Sequence, residues 1–269
     1  MTIGMNNLGR NGRIGNQMFQ YASLVGIAKN RGFDFKIPPD TELSKCFEML
    51  HCGGRYGLIQ GDEVEIHDCH TFCSELFSEC PNHVHLNGYL QSEKYFSNAW
   101  RQLKWDFRFK EEVIDAVDYR WGDILEQEPV SICVREFNDH FDYPGSDRNH
   151  RNLPWTYFEK AIKMMGEDRQ YIICSNNLEL CQKQEVFKGD NFHFNDIKTT
   201  VDKSHFDFCL LSKCKDHIIS NSTFSWWGAY LSPYPDKRVI APTPWYGPGQ
   251  AHIDTTDLFP VSWEVIEAS

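Results

Sequence analysis

The chain has 269 residues, of which 41% are hydrophobic, 14% aromatic and 24% charged, enough apolar material for one large domain or two of modest size. Its 18 glycines and 12 prolines are too few for a fibrous or low-complexity protein. A formal net charge of −11 excludes a dedicated nucleic-acid binder, whose phosphate contacts need a basic face, yet leaves room for a local cationic pocket that takes a small anion.

In chain order, Thr2–Met5 reads as a short strand that runs into a turn with Gly9, Gly12 and Gly15. A helix follows over residues 17–30, with Met18, Tyr21, Ala22, Val25 and Ala28 on one stripe. Phe33–Ile37 is a second strand, closed by Pro38-Pro39. Residues 40–83 show no clean periodicity, and helices are expected over 92–103 and 110–121. Strands at 130–134, 171–174, 217–220 and 238–241 then alternate with helices at 154–165, 177–183, 204–213 and 223–231. Such alternation favours parallel sheets covered by helices. The change of texture at Glu126-Gln127-Glu128-Pro129 places a domain boundary at 128, giving domains 1–128 and 129–269, with the last segment free to pack back on the first.

No run approaches the roughly 18 apolar residues of a membrane-spanning helix. Met1-Thr2-Ile3-Gly4-Met5 also lacks the charged-then-apolar build of a secretory leader. The expectation is a cytoplasmic protein with no transmembrane segment, peripheral membrane association remaining open. Cys46, Cys52, Cys69, Cys73 and Cys80 cluster with His51, His67, His70, His83 and His85, but no C-x-x-C pair supports a zinc site. These thiols read as ordinary, partly buried side chains.

Three stretches carry chemistry. Gly12 to Ala22 joins a strand to a helix through a glycine turn. That geometry serves either a tight backbone turn or presentation of N–H groups to an anion or sugar. It is neither a dinucleotide fingerprint nor a phosphate-binding P-loop. In Val130-Ser131-Ile132-Cys133-Val134-Arg135-Glu136, an arginine stands at the carboxyl end of a buried strand, where open α/β sheets bind ligands. Its guanidinium either grips a diphosphate or pairs with Glu136 or Asp139. In Ser220-Asn221-Ser222-Thr223-Phe224-Ser225-Trp226-Trp227, a strand ends as a helix begins. Ser222 and Thr223 serve there either as caps or as phosphate ligands, and the two tryptophans read as core. The chain contains no Asp-x-Asp, so the paired carboxylates that usually hold a metal-bound nucleotide sugar are missing.

These blocks resemble the α-1,2-fucosyltransferase family, glycosyltransferase family 11. The resemblance rests on Gly12 to Ala22, Gly88 to Phe96, Ser220 to Leu231 and Ala241 to Tyr246, in the family's order. It implies an α/β, GT-B-like fold of two Rossmann-like domains facing a central cleft. It also implies GDP-L-fucose as donor, a galactoside hydroxyl as acceptor, an α-1,2 linkage, inversion at the anomeric carbon, and no metal or cofactor. Carried over by position, Arg135 is the diphosphate ligand. Asn16, Ser175, Asp207, Ser222, Thr223 and Phe224 bind the donor, with Asp207 at a position that contacts guanine. Gly15 and Gln17 lie in the loop near donor and acceptor. The partners implied are a nucleotide sugar and a glycan acceptor.

The signature His-x-Arg-Arg-x-Asp block departs at three positions. Cys133 replaces the histidine, Glu136 the second arginine and Asn138 the aspartate, with Asp139 one place late. Either Arg135 suffices alone, or Arg148 or Arg151 reaches in, or activity is weakened or lost and the chain binds a GDP-sugar or glycan without transfer. A third outcome keeps the fold with another linkage or donor sugar. Glu136, Asp139, His140 and Asp142 are the candidates for general base.

Overall fold

The computed structural model describes residues 1–67, 70–138 and 145–269. These residues form two all-parallel sheets, each in its own unit. The first unit comprises Met1–Lys110 and Ile253–Val261. Its four strands are β1 (Thr2–Gly4), β2 (Asp34–Lys36), β3 (Asp62–Glu65) and β4 (Val84–Asn87), in the order β2-β1-β4-β3. Its helices are α1 (Ile14–Arg31), α2 (Glu42–Cys46), α3 (Ser74–Glu79) and α4 (Trp100–Asp106).

Helix α1 is almost wholly buried from Ile14 to Ala28. It ends on Gly32 in the left-handed region, whose N–H donates back to Lys29 while Phe33 N–H reaches Ala28 O at 2.8 Å. That is the glycine-terminated stop a helix needs before a strand can start. The helix expected over 92–103 is instead two short 3-10 turns followed by α4. Packing explains the break. A Cβ on Gly26 of α1 would meet Tyr95 O at 1.9 Å, so the main chain at 95–96 lies directly on that helix.

Strand β3, Asp-Glu-Val-Glu, falls in the stretch expected to be irregular. It is largely exposed and held by parallel pairing to β4 rather than by burial. The return segment of this unit is fixed by Asp257, which accepts from Lys94 Nζ at 2.5 Å and from Phe72 N–H at 2.8 Å.

The second unit comprises Glu111–His252 and Ser262–Ser269. Its helices are α5 (Glu111–Leu125), α6 (Ser146–Asn149), α7 (Trp155–Met165), α8 (Leu178–Gln182), α9 (Lys203–Lys213) and α10 (Thr223–Leu231). Its strands are β5 (Val130–Val134), β6 (Tyr171–Ser175), β7 (Phe192–Phe194), β8 (Asp216–Ile218), β9 (Val239–Thr243) and β10 (Glu264–Glu267), in the order β10-β9-β8-β5-β6-β7. All five residues of β5 are buried, as befits a central parallel strand covered on both faces.

The division between the units falls at Lys110/Glu111, earlier than the boundary expected at 128. Helix α5 is the reason. It packs on α9, where Lys213 Nζ meets Asp118 at 2.5 Å, with Val113, Val117 and Trp121 buried along one stripe. The fold is therefore α/β, with a Rossmann-like parallel sheet in each unit.

Candidate functional site

In the second unit the chain steps outward through β5, β6 and β7, then returns to lay β8, β9 and β10 on the other side of β5. The strand order reverses between β5 and β8, and open parallel sheets bind ligands beyond the carboxyl ends of strands at such a reversal. Arg135 directly follows β5, and Asn221-Ser222 lie three and four residues beyond the end of β8, immediately before α10.

Helix α10 starts with Ser222 in the cap position, extended and without a side-chain capping bond. The Ser222 N–H donates to Ser220 O at 2.8 Å, and the positive end of the helix dipole lies at this start, where an anion is favoured. Asn221 holds this loop in place. Its side chain is 2% exposed, and its Nδ2 donates to Arg151 O at 2.8 Å and to Trp245 O at 2.9 Å, tying the loops after β5, β8 and β9 together. Trp226 and Trp227 are fully buried.

The guanidinium of Arg135 lies 5.1 Å from the ring centroid of Phe137, within cation–π range. Phe137 is itself clamped. Its N–H donates to Asn152 Oδ1 at 2.7 Å, Asn152 Nδ2 donates to its carbonyl at 3.0 Å, and its ring stacks on His150 at 4.6 Å. Cys133 is buried beside the hydroxyls of Ser220 and Ser225, and burial pushes its thiol up to about 12. A thiol so placed is a packing group, not a nucleophile.

Glu136 turns to the neighbouring strand end. Its N–H donates to Asn176 Oδ1 at 2.9 Å, its carbonyl accepts from Asn176 Nδ2 at 2.8 Å, and its carboxylate accepts from Asn177 Nδ2 at 2.6 Å. Among the expected general bases Glu136 is thus already engaged, while Asp139, His140 and Asp142 lie outside the described residues.

The remaining second-unit positions gather at the same sheet edge. Ser175 Oγ accepts the Asn177 N–H at 2.9 Å. Asp207 Oδ1 receives Asn195 Nδ2 at 2.5 Å and pairs with Lys203, whose Nζ also donates to Asn195 O at 3.1 Å. Burial raises the Asp207 carboxyl to about 6 even so. Phe224 stacks on Phe208 at 4.7 Å.

In the first unit the glycine turn packs tightly. Gly12 has φ +88°, and a Cβ there would lie 2.2 Å from Asn16 Nδ2, so glycine is what lets Asn16 fold over the turn. Half-buried Asn16 accepts from Gln91 Nε2 at 3.0 Å. Gln17 is 1% exposed and spent internally, donating to Gly12 O at 3.2 Å and accepting the Glu42 N–H at 3.0 Å. It braces the turn, and Gly15 is buried in the first turn of α1.

Asn221, Phe137, Asn152 and the Asn176-Asn177 pair did not emerge from sequence reasoning, because their partners are loops distant in the chain. The one local signal was the Asn between two serines after a strand. Among the described residues no three His, Cys, Asp or Glu side chains gather as a metal site, and no helix is long and apolar enough to cross a membrane.

A helix start and a platform-mounted arginine at the reversal point of a parallel sheet define an α/β protein of the Rossmann-like class. The comparisons give that class a family. Residues 1–267 match the family described as Glycosyl transferase family 11, and the chain belongs to it. It is 26% identical to an alpha-1,2-colitosyltransferase of Escherichia coli over 95% of this chain and 97% of that one. It is 25% identical to galactoside alpha-(1,2)-fucosyltransferase 2 of Sus scrofa, over 85% of this chain and 70% of that one. The crystal structure of the Bradyrhizobium alpha-1,6-fucosyltransferase NodZ soaked with GDP-fucose superposes with a TM-score of 0.55 at 13% identity, over 86% of this chain and 92% of that one. The fold is GT-B-like.

Proposed function

We propose that this chain is an inverting, metal-independent glycosyltransferase that moves L-fucose from GDP-L-fucose to a galactoside hydroxyl, forming an α-1,2 linkage. The observation that carries the reading is Arg135 at the end of β5 beside the uncapped start of α10 at the end of β8. In a single in-line displacement the acceptor hydroxyl oxygen attacks the anomeric carbon and gives up its proton to a base or to water, the bond from that carbon to the phosphate oxygen breaks, and GDP departs with the electron pair. The negative charge that develops on the diphosphate meets the Arg135 guanidinium, the leading N–H groups of α10 and the hydroxyls of Ser222 and Thr223. Such preorganised donors stabilise developing charge more than any other single contribution. Asp207, as a carboxylate, accepts from the guanine N–H groups.

Replacing Arg135 with Ala is expected to lower turnover of GDP-fucose on lactose-type acceptors by on the order of 100-fold or more, and near-normal turnover refutes the assignment. The whole-length match to a colitosyltransferase favours a second reading, in which the chemistry is unchanged and the donor carries colitose. Parallel assays with the two GDP-sugars, followed by linkage analysis of the product, decide between them.

A further inference from the structure

We propose that Arg151 supplies the second positive charge for the departing diphosphate, in place of the arginine that Glu136 displaces from the signature block. The inference rests on the function proposed above and names a ligand residue for the same site.

Position 136 contributes no cation. Its carboxylate is held by Asn177 and its main chain by Asn176, so the end of β5 carries one guanidinium and one carboxylate. Most other cations of the second unit are committed elsewhere. Arg169, Arg238 and Lys215 pair with carboxylates at the opposite, amino-terminal edge of the sheet, and Lys203 pairs with Asp207.

Arg151 differs on both counts. Its carbonyl accepts Asn221 Nδ2 at 2.8 Å, and Asn221 is the residue directly before Ser222, so the main chain of Arg151 is bolted to the loop that opens α10. The residue is half-buried, yet its guanidinium enters no hydrogen bond, ion pair or ring contact with any described residue. A half-withdrawn guanidinium has lost part of its hydration and gains most from an anion that completes its donor set. Arg148, the other arginine in reach by sequence, is exposed, and its carbonyl lies against Gly247, where a Cβ would approach to 2.5 Å. Its main chain supports the loop after β9.

The test compares GDP with guanosine, which shares the base and ribose but lacks both phosphates, by calorimetric titration of the full chain. Arg151→Ala is expected to weaken GDP binding on the order of 10- to 100-fold, the range for losing a charge-assisted contact, with guanosine affinity unchanged. Its GDP affinity should also fall less steeply with added salt than that of the parent. Arg151→Lys keeps the charge but loses the planar fork, and should fall between parent and alanine variant. GDP affinity unchanged in Arg151→Ala overturns the proposal. So does equal loss of GDP and guanosine, which would make Arg151 a support of the pocket and not a phosphate ligand. A parent protein that binds GDP no more tightly than guanosine refutes the diphosphate site itself, and with it the proposed function.

Discussion

Replacing Asn221 with Ala removes a side chain that joins three strand-end loops. Its Nδ2 satisfies two carbonyls, that of Arg151, part-buried, at 2.8 Å and that of Trp245, buried, at 2.9 Å. A buried polar group stripped of its partner costs about 1–3 kcal/mol, so two carbonyls set a range of about 2–6 kcal/mol. The substitution also deletes Asn221 Oδ1, a buried oxygen without a hydrogen-bond partner, which returns about 1 kcal/mol. The expected net loss is about 3 kcal/mol. For a unit of this size each kcal/mol lowers the melting temperature by about 2–4 °C, giving a fall of about 6–12 °C in differential scanning calorimetry. Asn221→Asp sharpens the test, because a carboxylate has no donor and places charge against the same two carbonyls. It is expected to melt below the alanine variant. An alanine variant that melts with the parent, or an aspartate variant that melts above the alanine one, refutes the reasoning.

Two further outcomes test other parts of the structure. Asp106 is fully buried and accepts from Tyr21 Oη at 2.8 Å, from His51 N–H at 2.7 Å and from the His51 ring at 2.9 Å. Asp106→Ala strands those donors and is expected to cost about 3 kcal/mol or more in urea unfolding of the first unit, whereas a loss near zero would remove Asp106 from the framework. GDP affinity should fall as pH drops through about 6, where Asp207 gains a proton and ceases to accept from the base; a profile flat across that range, or one unchanged in Asp207→Asn, separates Asp207 from the nucleotide. Because burial raises this carboxyl above its unfolded value, its contribution to folding stability is complete below the ordinary aspartate range and is lost as pH climbs through about 6. Binding therefore strengthens over the interval in which stability weakens.

The second unit was the more legible half. Val130–Val134 and Tyr171–Ser175 are apolar runs because parallel pairing buries them on both faces, and such runs announce themselves in sequence. Asp62–Glu65 does not, because an exposed edge strand is held by main-chain bonds that leave no apolar pattern. Phe192–Phe194 and Glu264–Glu267 are likewise short edge strands, and sequence patterning missed both. Near the sheet edge, Arg135 and Ser222 could be placed because each stands within a few residues of the end of a readable strand. Their supports could not. Phe137 is clamped by a residue 15 positions on, and Glu136 by one 41 positions on. The reversed charge at 136 looked from sequence alone like a defect in the site, yet the side chain is turned aside by Asn177.

The order in which the chain visits its units also governs how it can be made and recombined. Having completed β9, the polypeptide contributes residues 253–261 to the first unit and only then supplies β10, the edge strand of the second sheet. During synthesis the second sheet stays open at that edge until residues 264–267 have emerged, even though its central strands were made long before. Exchanging the first unit with that of a relative needs three junctions, at 110/111, 252/253 and 261/262. A cut at 110/111 alone would leave Lys94 and the Phe72 N–H without the aspartate at 257 that holds them, and would hand that aspartate to the wrong fragment.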